Sequence, residues 1–73
     1  MDENIAKKVL EEISKRLVMK KEELVDFLKN EQENSLDLFR EITQSLSTQG
    51  FIQYVNEIGA YTVTKKGIRE AVK

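Results

Sequence analysis

Between Asn4 and Met19 the apolar residues Ile5, Val9, Leu10, Ile13 and Leu17 recur at helical spacing, while Lys7, Lys8, Glu11, Glu12, Lys15 and Arg16 fill the other face. This pattern predicts an amphipathic helix over that stretch. In the following KKEELVDFLKN, Leu24, Phe27 and Leu28 form a short apolar face and Glu22 and Glu23 suit the positive end of a helix, so a second helix of about three turns is expected. The polar stretch NEQENS then breaks the pattern, with Asn34 or Ser35 able to cap a further helix and Asp37 well placed in its first turn. This third helix is predicted from about Leu36 to Thr48. Its apolar residues Phe39, Ile42 and Leu46 fall within about 60° of one another on a helical wheel, and Gly50 supplies the stop. Asp37, Glu41, Gln44 and Thr48 then point away from the core.

After Gly50 the periodicity changes from that of a helix to that of strands. Phe51 to Val55 and Ala60 to Thr64 are rich in β-branched and aromatic residues, and Asn56, Glu57, Ile58 and Gly59 between them suit a hairpin turn, since Asn and Gly accept positive φ. Thr64 is a cap for a last short helix bearing Ile68, Ala71 and Val72. The chain has no Pro, no low-complexity stretch and no repeat, so residues 1–73 are read as one α+β domain: three helices, a C-terminal two-stranded hairpin and a short final helix.

Helix, helix, short polar turn, helix, glycine, hairpin is the element order of the winged helix-turn-helix. EELVDFL resembles the first helix of the helix-turn-helix pair. DLFREITQSLSTQGFI resembles a recognition helix running through its terminal glycine into the first wing strand, and YTVTKKG is similar to the YxLTxxG ending of many small prokaryotic regulators. The resemblance implies duplex DNA binding by a transcriptional regulator, with the third helix in the major groove, the 51–64 hairpin beside it as a wing, and a dimer reading two half-sites. The candidate DNA contacts it suggests are Lys20, Lys21, Ser35, Arg40, Gln44, Lys65 and Lys66.

Charge changes this picture. Twelve Lys and Arg against thirteen Asp and Glu leave a formal net charge of -1, whereas a DNA-binding domain usually carries a basic excess. On the third helix, Asp37 and Glu41 lie one turn apart and would repel phosphates, leaving Arg40 and Gln44 as the base or phosphate contacts. The hairpin turn carries no Lys or Arg. Lys20 and Lys21 are open to a plainer reading as surface charges balancing Glu22 and Glu23, and Arg40 as a partner of Asp37. Tyr54 and Tyr61 are read as cross-strand packing in preference to base stacking, and Ile58 at the hairpin turn as a hint of protein contact. A winged-helix module that binds a protein partner and no DNA is therefore the alternative function.

The composition narrows the remaining classes. There is no His and no Cys, which removes the commonest general base, the usual nucleophile pairings and the usual zinc ligands, and no glycine-rich phosphate loop is present. No enzyme activity, cofactor or metal is expected. Seventy-three residues without a disulfide make only a modest core, so a homodimer is expected to add stability. The charged start MDENIAKK and the absence of any long apolar run predict a soluble, cytoplasmic chain that engages no membrane.

Overall fold

The fold comes from a computed structural model, which describes residues 3–31 and 35–73. It is α+β, with helices α1 (Glu3–Arg16), α2 (Lys21–Lys29), α3 (Ser35–Thr48) and α4 (Lys65–Ala71), and strands β1 (Val18–Lys20), β2 (Ile52–Val55) and β3 (Ala60–Val63). The strands form one antiparallel sheet in the order β1-β3-β2. Among the described residues no helix is long and apolar enough to cross a membrane.

The first helix is shorter than its periodicity predicts, and the sheet has a strand that the sequence pattern does not announce. Periodicity alone would continue α1 through Leu17 to Met19. Instead Leu17 adopts φ 70° while its N–H still donates to the Ile13 carbonyl at 2.7 Å. A left-handed residue at a helix end turns the chain out of the helical path, and Val18, Met19 and Lys20 then pair with Thr62, Tyr61 and Ala60. Met19 becomes fully buried on the sheet, whereas Leu17, read as part of the apolar stripe, is 56% exposed. Sheet pairing and the burial of Met19 here override local helical propensity. The corner is fixed by Glu23, whose Oε1 accepts the Lys20 backbone N–H at 2.8 Å while Oε2 meets Arg16 Nη1 at 3.2 Å; Arg16 Nε also donates to Glu12 at 2.9 Å.

The predicted core is present. Phe39, Ile42 and Leu46 of α3 are buried together with Ile13 and Leu24, and Ile5, Val9, Leu10, Met19, Leu28, Phe51, Ile52 and Ala71 belong to the same cluster. The third helix starts at Ser35, one residue ahead of the expected start; Asn34, the other candidate cap, lies outside the described residues. Gly50 ends α3 as predicted. At φ 81° it lets its own N–H reach the Ser47 carbonyl at 3.0 Å and the Phe51 N–H reach the Leu46 carbonyl at 2.9 Å, the paired bonds of a Schellman motif.

The hairpin pairs Tyr54 with Tyr61 and Val55 with Ala60, and it turns through Asn56–Gly59, where Gly59 has φ 61° and its N–H donates to the Val55 carbonyl at 2.9 Å. Asn56, expected to share the positive φ, does not. Thr64 caps α4, accepting the Gly67 N–H at 3.0 Å and donating to the Gly50 carbonyl at 2.7 Å, so one hydroxyl ties the start of α4 to the end of α3. The backbone of Phe51 passes so close to α4 that a Cβ on Gly67 would fall on the Phe51 carbonyl oxygen. Glycine at the end of YTVTKKG is thus a packing requirement.

Candidate functional site

Around α3 the exposed residues divide into two sides. Successive helical residues are separated by about 100°, so Arg40 and Glu41 look in different directions although they are adjacent. Arg40, Thr43, Gln44 and Ser47 line a shallow depression that is closed on its other side by Tyr54 and Tyr61 of the hairpin, with Phe39 between them. Glu41, Ser45, Thr48 and Gln49 line a second, separate depression on the far flank, with Gln44 on the ridge shared by both. The outward face of the sequence reading thus divides: Arg40 lines the side toward the hairpin and Glu41 the far flank.

The aromatic wall has its own order. Phe39 meets Tyr61 edge-on, with ring centroids 5.8 Å apart at 78°, and Tyr61 meets Tyr54 at 5.0 Å and 58°. Tyr61 is half-buried, as packing predicts, but Tyr54 is 47% exposed. Lys21 Nζ stands 5.8 Å from the Phe39 ring centroid, which brings the start of α2 to the same row of rings.

The remaining sequence-predicted residues are arranged around this depression. Lys20 is exposed at the junction of β1 and α2, beside Lys21. Lys66 lies at the other end of α3, its Nζ 5.4 Å from the Phe51 ring centroid and its Cδ against Gly50, with Lys65 exposed next to it. Phe39 and Gly50 are eleven positions apart, about 16 Å along a helix, so Lys21 and Lys66 flank α3 at its two ends. Ser35 differs from the rest: it is 6% exposed, because it faces the core from the first turn of α3, and it offers little surface to a ligand. Ser47 is absent from the sequence-predicted set, although its spacing from Arg40 along the helix is the signal that would have found it, and Thr43 is buried like Ser35. The Thr43 hydroxyl is occupied, donating to the Phe39 carbonyl at 2.6 Å.

Ion pairing divides the cations of the chain. Lys8, Arg16, Lys29 and Lys73 each form a salt bridge with a described carboxylate. Among the described residues, Lys20, Lys21, Arg40, Lys65 and Lys66 form none, and neither do Lys7, Lys15 and Arg69. Direct ion pairing does not account for Lys20 and Lys21, since Glu23 is engaged by Arg16 and by the Lys20 backbone, and they stand as solvated charges beside Glu22 and Glu23. Their place in the first turn of α2 does not account for them either, because positive charge there is disfavoured by the helix dipole by about 0.3 to 1 kcal/mol. In comparisons with known proteins, no family model, no curated sequence and no solved structure matched the chain.

Proposed function

We propose that the chain is a small winged-helix DNA-binding protein, a transcriptional regulator in which α3 enters the major groove and the β2–β3 hairpin lies beside it as a wing. The observation that carries this reading is the set of exposed, unpaired cations arranged about α3: Arg40 on its hairpin side, Lys20 and Lys21 near its first half, Lys65 and Lys66 at its C-terminal end. Cations without a carboxylate partner are open to phosphate contact, and each Lys or Arg set against a phosphate releases condensed counterions. Arg40 and Gln44 are the residues with reach to base edges, through guanine O6 and N7 or adenine N6 and N7. The element order, now with β1 between α1 and α2, supports the winged-helix reading, as does the tight hairpin packed against the end of α3.

A protein-binding module of the same fold is the second reading, favoured by Ile58, which is exposed at the hairpin turn, and by the acidic flank of α3 at Glu41. A salt-dependent titration against mixed-sequence duplex DNA separates the two. DNA docking through α3 predicts measurable affinity at physiological salt and an Arg40→Ala variant whose salt slope is smaller by about one unit. Replacing Asp37 with Asn and Glu41 with Gln together removes two charges near the phosphates and is expected to tighten binding by about 2- to 5-fold. Duplex affinity that appears only at very low ionic strength, or a double variant indistinguishable from the parent, would reject groove docking and direct attention to Ile58.

A further inference from the structure

The row of rings beside Arg40 has a property that duplex binding does not use. Tyr61 packs against both Phe39 and Tyr54, but Tyr54, the outermost ring, has no comparable inner partner and remains 47% exposed. Tyr61 holds it across the strand pair, so its orientation is set before any ligand arrives. The opposite wall of the depression is polar and cationic: Arg40, with no salt bridge among the described residues, then the Gln44 amide and the Ser47 hydroxyl. Within a double helix both faces of a base are covered by neighbouring pairs, so an aromatic ring poised in this way finds no face to stack on. An unpaired base has a free face, and every base offers one regardless of sequence.

We propose that the depression between α3 and the hairpin binds an unpaired nucleobase of a single-stranded nucleic acid, with the base stacked on Tyr54, its adjoining phosphate against Arg40 and the Gln44 amide at the base edge. A planar heterocycle joined to an anion is the ligand chemistry that matches a depression lined by both an aromatic wall and a guanidinium. The proposal rests on this side of α3 being a nucleic-acid surface, but it does not need α3 to enter a groove. Single-stranded DNA and RNA share the chemistry that the depression recognises, and they differ in the 2′-hydroxyl.

The chain contains two Tyr and no Trp, so its intrinsic emission arises wholly from Tyr54 and Tyr61, the rings of this wall. The test titrates that emission with a ten-nucleotide oligothymidylate and, separately, with oligouridylate, and measures the affinity of variants with end-labelled strands by anisotropy. Saturable quenching by at least one strand is expected, and the tighter of the two identifies the natural backbone. Tyr54→Phe is expected to bind as the parent does. Tyr54→Leu keeps apolar bulk against Tyr61 but offers no ring, and it should weaken single-strand affinity by about 5- to 150-fold. Its affinity for duplex DNA should change by less than about 3-fold, since a duplex offers no free base face. Arg40→Gln should lower the single-strand salt slope by about 0.7. Binding without quenching, or a Tyr54→Leu variant as tight as the parent, overturns the proposal. A chain that binds duplex but neither single strand overturns it while leaving the duplex reading intact, and a chain that binds neither form overturns both.

Discussion

Replacing Gly67 with Ala tests the packing on which the hairpin and α4 depend, because the structure and simple helix propensity predict opposite signs. Gly67 lies inside α4, where Ala is the better helix former by about 0.8 to 1 kcal/mol, so an unconstrained site would gain stability. Here the added methyl would fall on the Phe51 carbonyl oxygen and lie 2.9 Å from Val63 Cγ2 and 3.0 Å from the Phe51 carbonyl carbon. Ordinary contact begins at 3.4 Å, so α4 must draw back by about half an ångström from Val63 alone and by more from the carbonyl. Overpacking of this kind costs about 1 to 3 kcal/mol. The same retreat pulls Thr64, which caps α4 and moves with it, away from the Gly50 carbonyl to which its hydroxyl donates and from the Phe51 carbonyl to which its N–H donates, bonds worth about 1 kcal/mol each. With the propensity gain set against these losses, a net destabilisation of about 2 to 4 kcal/mol is expected. For a domain of this size that lowers the melting temperature by about 10 to 25 °C. Thermal denaturation followed by far-ultraviolet circular dichroism reads it directly. A Gly67→Ala protein that melts at or above the parent would refute the close approach of the Phe51 backbone and α4, and with it the placement of the hairpin against α3.

Ile42 is fully buried, so Ile42→Ala is expected to cost about 2 to 5 kcal/mol, most of the stability of so small a domain, and an unchanged melting temperature would mean that α3 turns a different face to the core. Leu17→Gly relieves about 1 to 2 kcal/mol of left-handed strain against about 0.5 to 1 kcal/mol of backbone entropy, so the melting temperature should hold or rise; a clear fall would show that the Leu17 side chain contributes more packing than its exposure indicates. Val72 is 79% exposed beside Ile68, and the neighbouring α1 surface carries Glu11 and Lys15, opposite charges that form no salt bridge among the described residues and can each meet its counterpart on an inverted second copy. Sedimentation equilibrium is therefore expected to give a homodimer through α1 and α4, and a particle of 8.5 kDa persisting at high micromolar concentration would exclude it.

Much of the fold was legible in the order of residues. Apolar spacing located the helices, and Phe39, Ile42 and Leu46 identified the buried face of α3 because a helix must turn one stripe toward whatever core exists. Gly50, Gly59 and Thr64 marked the ends and turns, since the bonds that a Schellman motif, a tight turn and an N-cap make are local and use residues close in the chain. Other features depended on segments far apart in sequence. Leu17 to Met19 carry helix-compatible residues, yet the chain leaves the helix there and pairs as a strand because β3, about 40 positions later, supplies a pairing edge and a place to bury Met19. The same holds for the site. Residue type pointed to Arg40, Gln44 and the four lysines, but whether each cation would be neutralised depended on which carboxylates the fold carried to it, and Arg16 reached Glu23 before Lys20 or Lys21 could. Ser35 is set at a helix start by its local sequence, yet the first turn of α3 meets the core there, and burial withdrew it from the surface. Tyr54 and Tyr61 are equivalent as residues of a strand, and only the approach of Phe39 from α3 made one a packed ring and left the other facing solvent, because contacts between elements follow from how the chain closes on itself.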